Sequence, residues 1–371
     1  MSKQIIVKEV TSPRQIKNFI RYPKQLYKKC PHYVPSLESD DYASLTNHPA
    51  LSFCTLRLWM AYKENRVAGR IAGIINHRCN ELKNQKRIRF GWFDVEEDFS
   101  VAEALFEKIE EWAKEEGLKE ICGPSRFSNM EKQGVLIEGF HETPPISSEY
   151  NYAYYPVFIE KLGYTKEHDY FQYRGDIKEI PPKIKRLNET ILQRYNVKIK
   201  EFKTKEDLKR YARDFFLALN ESFADIHNFI PLTEPEIDYL IKGNFSVARK
   251  ELVCILVDET DKVIGFGFCL PSLSKAFQKA NGKLFPFGWY HITKALKKND
   301  TVDLYLTGVL PGWVHRGIHA IYHNKLHEVF LELGYKQAVT NQELEDNIVN
   351  RVWKKYDADP IFRRRCYVKE I

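Results

Sequence analysis

No run in this sequence is apolar for long enough to cross a bilayer, and the opening MSKQIIVKEV lacks the apolar core of a signal segment. A CxxC pair is missing as well. The seven cysteines (Cys30, Cys54, Cys79, Cys122, Cys254, Cys269, Cys366) are odd in number and scattered. Most sit in apolar stretches, where a reduced thiol behaves as a small hydrophobe. This argues against a zinc-ribbon spacing and against a disulfide framework. Nor is there a long basic run: 57 Lys and Arg against 50 Asp and Glu leave a charge of +7 spread along the chain. Without a basic stripe interleaved with aromatics, nucleic acid is not an expected partner, while a mild positive excess suits an anionic ligand such as a phosphorylated cofactor. These absences lead us to expect a reducing, cytoplasmic setting, no integral membrane segment and no metal.

What is present is ordinary globular material. Hydrophobic residues make up 43% and charged residues 29% of the 371, enough apolar substance for two cores in two or three domains. Aromatics are abundant, with 21 Tyr and 23 Phe; most are expected in the core, but tyrosines also line pockets.

The most informative stretch is 304–334, LYLTGVLPGWVHRGIHAIYHNKLHEVFLELG. Residues 304–310 have the pattern of a short buried strand. From Ile318, apolar positions recur at helical spacing (Ile321, Tyr322, Leu326, Val329, Phe330, Leu333), and Gly334 is the expected stop. The turn between them, Pro311–Gly317, carries His315 and Arg316. A strand that turns into a helix N-terminus leaves several N–H groups unsatisfied and ready to hold a phosphate.

The rest of the chain gives a repeated order of elements. Residues 3–10 alternate as a strand, and the helix that follows is expected to break at Pro23. Residues 56–76 read as a hairpin and 88–96 as a third strand. The next helix is expected to be capped by Ser100 with Glu103 and closed by Gly117. After a charged, Pro-bearing linker the same order returns. Gly69 then matches Gly265 and Gly117 matches Gly334, and the second copy is longer by an aromatic insertion, residues 272–298. The expected division is 1–178, a linker with a connecting helix at 179–196, and 197–371.

The turn resembles the acyl-CoA-binding turn of the GNAT superfamily of N-acyltransferases, roughly V-x-P-x-x-[QR]-x-x-G-x-[GA]. Val309, Pro311 and Gly317 fit; Val314 stands where Gln or Arg is usual, and His319 where a second small residue is usual. The whole chain is similar to a bacterial family of tandem GNAT-type proteins. The likeness rests on RYPKQLYKKCPHYVPSL (21–37), GVLIEGF (134–140), YNYAYYP (150–156), LNESF (219–223), FIPLTEPE (229–236), NGKLFPFGW (281–289), GVLPGWVHRGI (308–318) and LEDN (344–347). The resemblance implies an α/β (α+β) fold of two tandem GNAT-like domains, each a mixed, mostly antiparallel sheet flanked by helices.

It also implies an acetyl-CoA or longer acyl-CoA co-substrate and transfer of the acyl group to a small-molecule or lipid-like amine. The alternative is a degenerate GNAT protein that binds CoA or a metabolite without turnover. The cofactor residues it suggests are Val309, Leu310, Pro311, His315, Arg316, Gly317, Ile318, His319 and Asn347. Glu221, His315 and Tyr356 are its catalytic candidates. Tyr150, Asn151, Tyr154, Tyr155 and Asn220 are candidates for an acceptor cleft. In the first half Glu96, Glu97 and Asp98 would repel phosphates, so the cofactor is expected in the second half only.

Overall fold

The computed structural model describes residues 4–347, 349–350, 353 and 357–371. The first half contains β1 (Ile5–Glu9), α1 (Pro13–Leu26), α2 (Glu38–Asn47), β2 (Cys54–Lys63), β3 (Arg66–Asn76), α3 (His77–Leu82), β4 (Arg87–Val95), α4 (Phe99–Glu115), β5 (Glu120–Gly123), β6 (Val135–Glu138), α5 (Tyr154–Lys161) and β7 (Thr165–Asp176). A connecting helix, α6 (Pro182–Arg194), leads to β8 (Lys198–Ile199), α7 (Lys205–Arg210), α8 (Ala212–Ser222), α9 (Glu234–Leu240), β9 (Val253–Val257) and β10 (Val263–Pro271). The insertion supplies α10 (Ser274–Ala280) and α11 (Gly288–Lys297). Then come β11 (Thr301–Val309), α12 (Ile318–Glu332), β12 (Gln337–Thr340), β13 (Glu343–Leu344) and β14 (Asp359–Glu370).

Two helix ends differ from the expectation. The first helix, α1, continues through Pro23 to Leu26. A helical N–H at position 23 would bond the Phe19 carbonyl; that carbonyl instead accepts from Arg70 Nη1 at 2.8 Å, so the missing donor leaves nothing unpaired. α4 starts at Phe99 and is capped by Asp98, whose Oδ1 accepts from Ser100 N at 3.1 Å, two residues before the expected Ser100–Glu103 box.

Among the described residues the strands form one sheet in the order β1-β2-β3-β4-β5-β14-β7-β12-β11-β10-β9-β8, with β6 also on β14 and β13 also on β7. Two pairs are parallel: β4 with β5, from Arg87↔Glu120 to Arg89↔Cys122, and β11 with β12, from Thr301↔Gln337 to Leu304↔Thr340. The remaining pairs are antiparallel. The architecture is mixed α/β, a mostly antiparallel sheet flanked by helices. The last strand of each half completes the other half: β14 lies between β5 and β7, and β7 lies between β14 and β12. A boundary at residue 178 therefore divides the chain but not the sheet.

The repeat is also visible in the packing. A Cβ on Gly69 would lie 2.8 Å from Leu105 and 3.1 Å from Val101 of α4, and one on Gly265 would lie 2.9 Å from Ile318 of α12. At both places the strand stays bare so that the helix can approach. No described helix is long and apolar enough to cross a membrane.

Candidate functional site

The turn after β11 begins with Leu310, buried, its N–H bonded to Ile264 O at 2.9 Å. Pro311–Arg316 makes a 3-10 turn, and Gly317 adopts a left-handed conformation (φ 76°) before α12 starts at the buried Ile318. Gly317 is also held by packing, since a Cβ there would meet Ile191 of α6 at 2.9 Å. His315, Arg316 and His319 are exposed around this helix start, and the first turn of α12 contains no acidic residue. The Arg316 guanidinium stacks over Trp313 (4.5 Å) and Tyr195 (5.4 Å), an arrangement that holds its charge in place beside the helix N-terminus. The matching helix of the first half, α4, has its N-terminus occupied by the Asp98 carboxylate.

Below the turn, β11 and β12 part company after Leu304↔Thr340. Asn341 spans the opening, its N–H on Leu304 O at 3.0 Å and its Nδ2 on Tyr305 O at 3.0 Å. An open cleft lies against this fork, between α12 and β7. Leu304, Thr307 and Ala338 line it from the strands, and His323, Asn324, Leu326 and Phe330 from α12. Burial pushes the His323 imidazole down to about 4, so it is neutral at pH 7. Asn324 is buried with its Nδ2 unpartnered among the described residues.

The corresponding space in the first half is full. Matching the halves through Gly69↔Val95 and Gly265↔Val309 sets Phe90 against Leu304, Ile121 against Ala338 and Phe106 against His323. Phe90 and Phe106 pack on each other (4.9 Å between ring centroids) and on Tyr164 (5.8 and 5.1 Å), and Phe106 also packs on Phe93 (5.0 Å). At these positions the second copy is open where the first is filled by rings.

No family model matches the chain. A tandem GNAT protein from the clavulanic acid biosynthesis pathway superposes with a TM-score of 0.58 over 99% of this chain and 98% of its own, at 12% identity. The chain has the fold of that tandem GNAT protein. A GCN5-related N-acetyltransferase from Sphaerobacter thermophilus also superposes, with a TM-score of 0.54 at 11% identity, covering 99% of this chain and 95% of its own. In sequence the chain is 27% identical over 391 aligned positions to protein YghO of Escherichia coli, spanning 100% of this chain and 97% of that protein. It is 29% identical over 305 positions to a bacterial ceramide synthase of Caulobacter vibrioides, spanning 78% of this chain and 75% of that protein.

The residues singled out from sequence fall into several places. Val309, Leu310, Pro311, His315, Arg316, Gly317, Ile318 and His319 are contiguous at the turn. Asn347 sits by β13, its Nδ2 on Glu343 Oε2 at 3.3 Å and its Oδ1 accepting from Val349 N at 3.1 Å. Glu221 is exposed at the end of α8 and faces Lys262 at 3.4 Å, away from the cleft residues. Asn220 holds both backbone groups of Leu232. Tyr356 lies outside the described residues.

A second cleft, in the first half, is lined by Tyr150, Asn151 and Tyr155, but not by Tyr154, whose hydroxyl donates to Val95 O at 2.7 Å. Asn151 is fully engaged with Leu136 and Tyr152, and the Tyr155 hydroxyl with Tyr27 and Val95, so neither offers a free polar group. Charge in that cleft comes from residues not anticipated. Burial works against the Glu149 carboxylate, yet Arg126, Lys132 and Arg70 hold it at about 2; burial lowers the Lys132 ammonium. Nearby, Arg364 is fully buried, and burial pushes it down to about 10. Its Nη1 and Nη2 have no partner among the described residues. Strand alternation carries the signal for this: Arg363 and Arg365 both engage Asp169, so Arg364 between them faces the opposite side.

Glu343 was missed too. It follows the fork by two residues, beyond Asn341, and burial acting unopposed pushes its carboxyl up to about 8. In sequence it is one of several acids in a polar stretch, with nothing to mark it.

Proposed function

We propose that the protein is an acyl-CoA-dependent N-acyltransferase that works at the cleft below the β11–β12 fork. The observation that carries this reading is the asymmetry between copies: one cleft stays open beside an acid-free helix start, and its counterpart is packed with rings and capped by Asp98. The diphosphate would lie at the turn, held by the first amides of α12 and by Arg316, and the pantetheine would run down the cleft to the fork. Leu304, Leu326 and Phe330 give that cleft an apolar wall fit for an acyl chain.

The acceptor we favour is a long-chain amino alcohol. One relative is named a ceramide synthase, and a ceramide is by its chemistry a fatty-acyl amide of such an amine. The amine nitrogen attacks the thioester carbonyl carbon and the C–S bond breaks. The ammonium proton passes to the Glu343 carboxylate and from there to the departing thiolate, so amide and free CoA leave with the proton count unchanged.

Titration with CoA, followed by thiol release from long-chain acyl-CoA in the presence of a long-chain amino alcohol, tests the reading. An Arg–phosphate contact contributes about 1.5–3 kcal/mol, so Arg316→Ala should weaken CoA binding roughly 10- to 150-fold. The difference should shrink as salt is added. Equal affinities of wild type and Arg316→Ala at low salt would remove Arg316 from the site, and absence of CoA binding to the wild type would end the proposal.

A further inference from the structure

The insertion between β10 and β11 ends in an exposed tip, Leu284–Tyr290, whose sequence is LFPFGWY. Phe285 is 76% exposed, Phe287 72%, Trp289 50% and Tyr290 51%. Folding leaves large apolar rings in water only at a cost, and four within six residues form a patch rather than scattered single residues. The tip is built to hold them there. Trp289 N donates to Leu284 O at 2.8 Å, and the indole Nε1 donates to Pro286 O at 2.9 Å, which satisfies the one polar group of that ring from within the tip.

Charge around the tip has one sign. Residues 272–299 contain six lysines (Lys275, Lys279, Lys283, Lys294, Lys297, Lys298), together with His291, and no Asp or Glu. None of the six lysines forms an ion pair among the described residues. Elsewhere surface lysines pair readily, as Lys24 does with Glu38 and Lys63 with Asp98. Exposed aromatic rings flanked by unpaired lysines match the chemistry of a bilayer that contains anionic phospholipid: rings for the boundary between headgroups and acyl chains, ammonium groups for the phosphates.

The base of the insertion is fastened to the wall of the second cleft. Gln278 Nε2 donates to Pro31 O at 2.8 Å and to Tyr33 O at 3.2 Å, and Glu38 N donates to Gly282 O at 2.9 Å. Tyr33, Val34, Ser36 and Glu38 are lining residues of that cleft. We propose that the tip 284–290 docks on the surface of an anionic phospholipid bilayer and so holds the mouth of this cleft at the lipid. The docking itself needs no enzymatic activity, and the cleft it brings to the lipid is distinct from the one proposed for acyl transfer.

Sedimentation of the intact chain with vesicles tests it, using phosphatidylcholine alone and phosphatidylcholine mixed with phosphatidylglycerol. The protein should sediment with the mixed vesicles and much less with the neutral ones, and salt should release it. Moving a phenyl ring out of water favours binding by roughly tenfold or more, so Phe285→Ser with Phe287→Ser should lower the partition coefficient at least that much. Both rings are exposed, so an unchanged melting temperature is expected and serves as the folding control. Lys294→Gln with Lys297→Gln and Lys298→Gln should reduce binding to mixed vesicles by roughly fivefold per charge and leave neutral vesicles unaffected.

Wild type that stays in the supernatant with mixed vesicles, or a double-serine variant that sediments equally, would overturn the proposal. So would a concentration-dependent dimer in velocity sedimentation that the double-serine variant abolishes, because a second copy of the chain would then own the face. Failure here leaves CoA binding untouched, and failure to bind CoA leaves vesicle binding untouched, so the two readings stand or fall separately.

Discussion

Glu343 sits beside Asn347 and close to Tyr173 and Tyr322, and burial alone raises its carboxyl to about 8. A general base works only when ionised, so acyl transfer should rise with pH through about 8 and level off above it. Glu343→Gln should remove that limb and lower kcat by about 10²- to 10⁴-fold, with CoA affinity nearly unchanged. Stability supplies a second readout. Because the folded carboxyl binds its proton more tightly than the unfolded one, the folded state holds more protons between about pH 4.3 and 8. This group therefore makes stability fall as pH rises across that window, and Glu343→Gln should flatten the fall in a melting series. A variant with the wild-type pH profile would assign the proton transfer elsewhere.

The turn and the cleft differ in how much of each could be read from sequence. A phosphate-holding turn is contiguous, so Pro311, Arg316 and Gly317 announce it in one line of text, as does the helical spacing from Ile318. The cleft is assembled from β7, β11, α12 and β12, whose lining residues run from Tyr173 to Thr340. What keeps it open is smaller or more polar side chains at Ala338, Leu304 and His323, which look ordinary until they are set beside Ile121, Phe90 and Phe106 of the other copy. Leu304→Phe with Ala338→Ile installs the first copy's packing residues in the second copy's cleft. Both positions are only partly buried, so the added groups fill open space instead of overpacking a closed core. Calorimetry should find CoA binding lost, while the melting temperature holds or rises. CoA binding at wild-type affinity in this variant would show that the cofactor follows another path.

At the scale of the whole molecule, the exchange of last strands decides how the chain unfolds, and nothing in the sequence spelled it out. Neither terminal strand, TKEHDYFQYRGD or DPIFRRRCYVKE, has a pattern that assigns it to one half; pairing between halves is a long-range choice that local propensity does not encode. The consequence is physical. In the first half, Phe362 and Tyr367 of β14 are buried in the core built on α4. β14 also pairs with β5 from Tyr367↔Gly123 to Glu370↔Glu120 and along most of β7. A fragment of residues 1–178 loses that strand, leaving two open edges and a gap in its core, a combination that favours aggregation over folding. The fragment 179–371 loses β7, which pairs with β12 from Gln337↔Asp176 to Val339↔Arg174. Each fragment expressed alone should be insoluble or lack a cooperative thermal transition. Co-expressed, the two should purify as a one-to-one complex that melts once and close to the intact chain, since every strand then has its partner. Independent folding of 1–178, seen as a sharp transition and dispersed amide resonances, would mean that β7 can close its own half and that the exchange is not required for stability.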